Sequence, residues 1–460
     1  MSSLTIGFLT LALLLILILK GVHIGIAVGG MGLLGCYLIT GKLESVLSLL
    51  STASFSFVRE YNFAVIPLFI LMGIFMSLSG AAAGLFEACN LFLKKVRGGL
   101  GVATVFANAV FAAVTGVSVA SASVFSKVAV PEMKKFNYDT SFAVGAVCGS
   151  SVLGMLIPPS VLLILYGMLA EVSIGKLFIA GIIPGLILTL LYSIWILVVA
   201  NLKPSIVGQS IGTKMVKQVR GKEYQEIDAG SHSALENKEQ EGKNSWRILL
   251  KALPTVLLIG LVMGGIWGGF FTPSEAAGVG ALGAMLIAFA GGMRIDGFKE
   301  VIAETAASTA SIMFLLVAAA LYSKMLSLAG IINWLSRTIL ALNISTLLLL
   351  SILMGVLVLM GCILDSSSIL LITTPLMVPI ISALGFDLLW WGIIVVVCVE
   401  MGLLTPPFGM CVFAVKAALG DMISVEQIFK ASVPYLVIMV ILIVILLRFP
   451  ELITWLPSMM

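Results

Sequence analysis

The sequence predicts an all-α polytopic membrane protein made of two inverted copies of one helical unit. Three observations carry this. Of 460 residues, 60% are hydrophobic and only 10% are charged, and the mean hydropathy is +1.18; a soluble domain holds about 25% charged residues. Apolar runs recur at the length a bilayer needs, about 17–25 residues. Polar or proline-containing breaks interrupt those runs at matching places in the two halves. The composition also excludes a disordered chain and a disulfide-stapled secreted fold. The six cysteines contain no C-x-x-C pair, so a zinc site is not indicated. A net charge of +4 is small, gives no sign of nucleic-acid binding, and is better read by position.

Ten spans are expected, at 4–19, 22–40, 62–80, 138–170, 176–200, 248–271, 273–291, 303–327, 388–419 and 428–448. No positive stretch precedes the first and Lys20 follows it, the wrong polarity for a cleaved signal peptide and the right one for an outer N-terminus. Two apolar stretches, 98–131 and 345–383, are too long for one span and carry small and polar residues at their centres. That pattern suits a re-entrant hairpin, in which one helix enters, a tip of irregular backbone turns, and a second helix leaves. The segments 83–96 and 330–342 precede the hairpins, are partly apolar and carry Lys or Arg, so they read as amphipathic interfacial helices. Residues 202–247 are rich in Lys, Glu, Gly and Ser and read as a flexible cytoplasmic loop between the halves. With the N-terminus outside, 20 of the 26 Lys and Arg residues fall on the inner side, as the positive-inside rule asks.

The halves match in three places. The tip TGVSVASAS at 115–123 resembles GCILDSSS at 361–368, the break IPPS at 157–160 resembles TPPF at 405–408, and KLFIAGIIPG at 176–185 resembles QIFKASVPY at 427–435. All three lie about 250 residues apart and in the same order, which marks an internal repeat. The first repeat is placed at 1–200, with hairpin 98–131 and broken helix 138–170. The second is placed at 248–460, with hairpin 345–383 and broken helix 388–419. Five spans and one hairpin per half is an odd number of crossings, so the second half is inverted. Inverted repeats with interrupted hydrophobic segments are the signature of a secondary transporter. Irregular backbone survives at membrane depth only inside protein or beside a wet cavity, and there its freed carbonyls suit a hard cation such as sodium.

The candidate site residues sit in these breaks. Pro158/Pro159 and Pro406/Pro407 donate no N–H and clash with the preceding turn, so each pair kinks or breaks its helix; the repetition favours discontinuous, site-forming helices. Ser118, Ser121 and Ser123 lie at the first tip, with Gly116, and Ser366, Ser367 and Ser368 at the second, with Gly361. Serine in membrane helices often just packs, but clustered at a glycine-containing tip it supplies oxygen ligands. Asp365 and Glu400 are acids in apolar stretches, where a charge costs about 2.5–3.5 kcal/mol even on lenient scales. Asp365 reads either as a helix cap or as an ion ligand, and Glu400 as a buried support. Glu275 follows Pro273 and Ser274 at a helix start and reads as a first-turn acid. His23 stands alone among the apolar segments, so a histidine metal cluster is excluded. The chain has no G-x-x-x-x-G-K-[ST] string and no nucleophile–base set, so ATP hydrolysis and enzyme catalysis are not expected; the energy must come from an ion gradient.

Six strings carry a family resemblance: VPEMKKFNYD at 130–139, IPPSVLLILYG at 157–167, IGKLFIAGIIPG at 174–185, FTPSEAAGVG at 271–280, LDSSSILLITTPLMVPI at 364–380 and EMGLLTPPFGM at 400–410. Together they resemble the large membrane (DctM-type) subunit of tripartite ATP-independent periplasmic transporters. The resemblance implies sodium-coupled import of an organic acid anion, C4-dicarboxylate-like or sialic acid-like, across the bacterial inner membrane. It implies two partners: a periplasmic binding protein that delivers substrate, and a small four-helix membrane subunit, expected as a separate chain. It implies an elevator, in which a transport domain with both hairpins slides in a scaffold, and no organic cofactor. By analogy one sodium site maps onto Gly116, Ser118, Ser121, Ser123, Pro158, Pro159 and Ser160. The other maps onto Gly361, Asp365, Ser366, Thr405, Pro406 and Pro407, with Glu400 in support. The 202–251 stretch looks longer than the usual connector of that family. A divalent-anion/sodium symporter working without a binding protein shares the hairpins and the repeat and stands as the alternative. A channel fits less well, because both hairpins are closed.

Overall fold

The computed structural model describes residues 2–59, 61–207, 231–341 and 344–460, and its named elements are all helices. The first half runs α1 (Ser3–Leu19), α2 (Ile24–Thr40), α3 (Leu43–Arg59), α4 (Val65–Leu78), α5 (Ala81–Leu93), α6 (Gly99–Thr115), α7 (Ser118–Lys135), α8 (Thr140–Ser151), α9 (Leu153–Leu156), α10 (Val161–Leu169) and α11 (Ile174–Leu202). The second half runs α12 (Ser231–Trp267), α13 (Pro273–Ala290), α14 (Ile295–Ala329), α15 (Ile331–Ala341), α16 (Thr346–Gly361), α17 (Ser366–Ala383), α18 (Leu388–Gly402), α19 (Met410–Leu419) and α20 (Val425–Arg448), closed by the short α21 (Glu451–Thr454). The two lists correspond in order, with α8 and α9 together matching α18 and with no counterpart for α21 in the first. α3 and α4, separated by a 3-10 turn at Tyr61–Ala64, stand where the unbroken α14 stands in the second half.

Contacts repeat with the same symmetry. α2 packs along α14 and α4 along α13, equivalent pairs that interlock the halves. α5 rests on α12 as α15 rests on α1, and α6 lies against α8 as α16 lies against α18. Exposure sorts the elements. α6, α8, α10 and α18 are buried on nearly every side, whereas α1, α12, α13 and α20 present large apolar side chains outward, as a lipid-facing shell requires.

Local chemistry sets the helix ends. Ser2, Asp139, Ser160, Ser173, Ser345, Asp365, Asp387 and Ser424 each cap a helix by accepting an amide proton, satisfying donors that lipid cannot. Glu275 forms a reciprocal capping box with Thr272 at the start of α13, the first-turn role expected of it.

Several expectations are corrected. Seven helical segments among the described residues are long and apolar enough to cross a bilayer, counting α8–α10 as one and including α17 of the second hairpin, or eight if the bent pair α4–α5 is one span. α1 and α2 have 17 residues each, at the short limit. The span expected at 62–80 is the 14-residue α4, which turns by 66° into α5. The amphipathic α3 was not foreseen, because its Ser and Thr residues dilute the apolar run. Part of the expected 202–247 loop is helix: α12 begins at Ser231, where Ala, Leu, Glu and Lys favour helix. Residues 208–230 lie outside the described residues.

Candidate functional site

Each hairpin tip folds onto the proline break of its own half, and a backbone hydrogen bond ties each pair. At the first tip, α6 ends at Thr115, Gly116 turns with φ +63°, and α7 starts at Ser118. The Val161 N–H, just past the first break, donates to the Gly116 carbonyl at 3.4 Å. A Cβ at Gly116 would lie 2.8 Å from the Pro159 carbonyl oxygen, so the approach requires glycine. At the second tip, the Phe408 N–H donates to the Cys362 carbonyl at 3.3 Å. Gly361 meets Gly402 of α18 so closely that a Cβ on Gly402 would sit 2.4 Å from the Gly361 Cα. The Pro158–Pro159 and Pro406–Pro407 bonds are both cis.

The helix ends refine the alignment of the repeats, because Gly116 and Cys362 are the caps that close the two entering helices. Cys362, not Gly361, is the counterpart of Gly116, and Ser366 is the counterpart of Ser118 because both open their helices. The second tip is therefore longer, spanning 362–365 against 116–117 in the first. Ser121 and Ser123 have no serine counterparts; the equivalent positions are Ile369 and Leu371.

The first tip is sealed. Ser118, Ser121 and Ser160 are inaccessible, and Pro158 and Pro159 are buried. The Ser118 hydroxyl donates to Glu400 Oε2 at 2.5 Å. The Ser121 hydroxyl donates to Asn108 Oδ1, and the Asn108 amide donates to Ser150 Oγ at 2.8 Å and to the Val147 carbonyl at 3.4 Å. Ser160 donates to the Met155 carbonyl at 2.5 Å and caps α10 by accepting from the Leu163 amide. A hydroxyl has one proton and two lone pairs. With the proton committed to a protein acceptor, Ser118 and Ser121 offer lone pairs to anything else, which is what an oxygen ligand for a hard cation needs. Ser123 does not join this set. It is half-buried and two residues beyond Ser121, on the opposite side of α7.

The second tip is open. Pro406, Pro407 and Phe408 are exposed, and a cavity of about 530 Å³ lies between this tip and the α1–α2 turn, lined by Asp365, Ser368, Ile363, Phe408, His23 and Leu315 among others. Asp365 caps α17: Oδ2 accepts from the Ser368 amide at 3.1 Å and Oδ1 from the Ser368 hydroxyl. Ser366 is buried at the first position of α17. Thr405 donates to the Met401 carbonyl at 2.7 Å. Glu400 is 1% exposed on the last full turn of α18. Asn108 was missed in the sequence, although an amide inside the apolar run of α6 was a legible signal. Carbonyl and hydroxyl oxygens gather at both tips, so the donor set fits a dehydrated alkali cation.

Comparison with known proteins agrees with this architecture. Residues 11–452 match the family described as the tripartite ATP-independent periplasmic transporter, DctM component. The C4-dicarboxylate TRAP transporter large permease protein DctM of Pseudomonas aeruginosa is 33% identical over 402 residues, 87% of each chain. The sialic acid TRAP transporter large permease protein SiaM of Vibrio cholerae is 26% identical, again over 87% of each chain. The isethionate TRAP transporter permease protein DctMQ of Oleidesulfovibrio alaskensis is 26% identical over 92% of this chain and 62% of its own length. Among solved structures, the Alcanivorax borkumensis YdaH transporter superposes with a TM-score of 0.58 at 14% identity, covering 90% of this chain and 89% of its own, which is a likeness of fold.

Proposed function

The chain belongs to the DctM family of tripartite ATP-independent periplasmic transporter components, and from that premise we propose that it imports an organic acid anion together with sodium. As a member of that family it is an inner-membrane permease subunit and not an enzyme. The substrate class we propose is a small carboxylate, C4-dicarboxylate-like or sialic acid-like, as the names of its relatives suggest. A periplasmic binding protein delivers it, and a small four-helix membrane subunit completes the transporter.

The observation that carries this reading is the paired tip-on-break contact, Val161 to Gly116 and Phe408 to Cys362. It supports two oxygen-rich cation sites related by the repeat, at 116–123 with 158–160 and at 361–366 with 405–407. The cavity beside the second tip is the space we assign to the anion. An anion there approaches the Asp365 carboxylate, and a cation at the second tip offsets that repulsion. The repeats at 1–200 and 248–460 would then supply a transport unit, made of both hairpins and both broken helices, that moves against a scaffold of the remaining spans.

Uptake in proteoliposomes tests the proposal. Import should require sodium, the small subunit and a cognate binding protein. Uptake by this chain alone, undiminished when potassium replaces sodium, would overturn it.

A further inference from the structure

We infer that Glu400 couples the two tips, so that cation binding at one raises the affinity of the other. The inference rests on the proposed sodium sites and goes beyond them by assigning a link between them. Glu400 belongs to the second repeat, yet its side chain reaches the first tip, where Oε2 accepts the Ser118 proton. The backbone on either side of it forms part of the second tip. The Val399 carbonyl oxygen lies 3.1 Å from where a Cβ of Gly361 would be. The Met401 carbonyl accepts the Thr405 hydroxyl at 2.7 Å. Gly402 packs directly on Gly361. One helical turn therefore has its side chain in one site and its main chain in the other.

The direction of coupling follows from hydrogen-bond polarisation. A cation held by the Ser118 lone pairs withdraws electron density from that oxygen and makes its proton a stronger donor to Glu400, since linked interactions reinforce one another. The carboxylate is drawn toward the tip. Its other oxygen, Oε1, is buried without a hydrogen-bond partner among the described residues, so no second bond opposes the pull. α18 is buried from Leu389 to Gly402, which leaves the turn little room to distort, and the movement is passed to Gly402 and Thr405. Linkage makes the effect reciprocal: a cation at the second tip favours binding at the first by the same factor.

A sodium titration of the purified chain at fixed temperature, read as bound radioactive sodium, tests this. Two coupled sites give a Hill coefficient above one, with two as its ceiling. Glu400→Gln keeps an acceptor for Ser118 but replaces the carboxyl group that receives its proton, and should bring the coefficient to one. Glu400→Asp, which shortens the reach to Ser118 while leaving every proposed ligand in place, should do the same, and carries the test if the glutamine variant does not fold. A merely structural Glu400 would lower the melting temperature or shift the midpoint with the coefficient unchanged, and that result overturns the coupling. A wild-type chain that does not bind sodium overturns the sodium reading itself, and the coupling with it.

Discussion

Ser118 and Glu400 join the two halves of the chain through one hydrogen bond of 2.5 Å, formed where neither side chain meets solvent. The first prediction concerns this pair. Ser118→Ala leaves both Glu400 oxygens unpartnered, and stranding a buried acceptor costs about 1–3 kcal/mol, more for a charged one. Replacing both partners by apolar residues removes the stranded group. Ser118→Ala should therefore melt at a lower temperature than wild type. Ser118→Ala with Glu400→Leu should recover much of the loss while remaining inactive in uptake. Melting curves and proteoliposome uptake on the same preparations separate stability from function.

Asn108 holds the Ser121 hydroxyl and also reaches Ser150, so it fixes α6, α7 and α8 relative to one another. If Ser121 is a cation ligand, Asn108→Ala should weaken sodium binding almost as much as Ser121→Ala. A positioning hydrogen bond of about 1 kcal/mol corresponds to roughly a fivefold rise in the sodium concentration needed. Sodium dependence of uptake measures it. An unchanged midpoint for both variants would move the first site away from this tip.

Much of this molecule was legible in its sequence, and the failures have physical causes. The hairpins, the proline breaks and the repeat were readable because a bilayer fixes the length of an apolar run, and an interruption then stands out. α3 was missed because it is amphipathic, with too many Ser and Thr residues to register as apolar. Sequence similarity pairs Gly361 with Gly116 and does not reveal that the second tip is longer; the helix ends do, since Gly116 and Cys362 are the caps of the entering helices. Clustering at a tip also gave no sign that Ser123 points away from Ser121. The reach of Glu400 across the repeats was invisible for another reason: its partner lies 282 positions away.

Gly402 and Gly361 approach until the Cα of each fills the space a side chain on the other would need. Gly402→Ala places a methyl group 2.4 Å from Gly361 Cα, against backbone that has no rotamer to change. Overpacking of this kind typically costs about 1–3 kcal/mol. The variant should lose stability and transport together. Gly278→Ala, where a Cβ meets nothing within 4 Å, should retain both and serves as the control.

Asp365 stood between two roles, and its geometry favours the cap. Both oxygens accept from Ser368. Asparagine caps as well as aspartate, whereas alanine loses about 1 kcal/mol. Asp365→Asn should therefore match wild type in melting temperature and Asp365→Ala should fall below it. With the carboxylate serving as a cap, the sodium midpoint of Asp365→Asn should also match wild type. A severalfold rise in that midpoint without loss of stability would make Asp365 an ion ligand.

The last prediction concerns charge. Each elementary charge crossing 100 mV is worth about 2.3 kcal/mol, so drawing a dianion into a negative interior costs about 4.6 kcal/mol. Two sodium ions, one at each tip, cancel that and leave the cycle electrically neutral. A monoanion carried with the same two ions brings in one net positive charge and gains about 2.3 kcal/mol per 100 mV. With two sites only, dicarboxylate uptake should be indifferent to a potassium diffusion potential set with valinomycin, whereas uptake of a monocarboxylate should quicken as the interior becomes more negative. Dicarboxylate uptake that accelerates with potential requires a third cation, and so a site beyond the two hairpin tips.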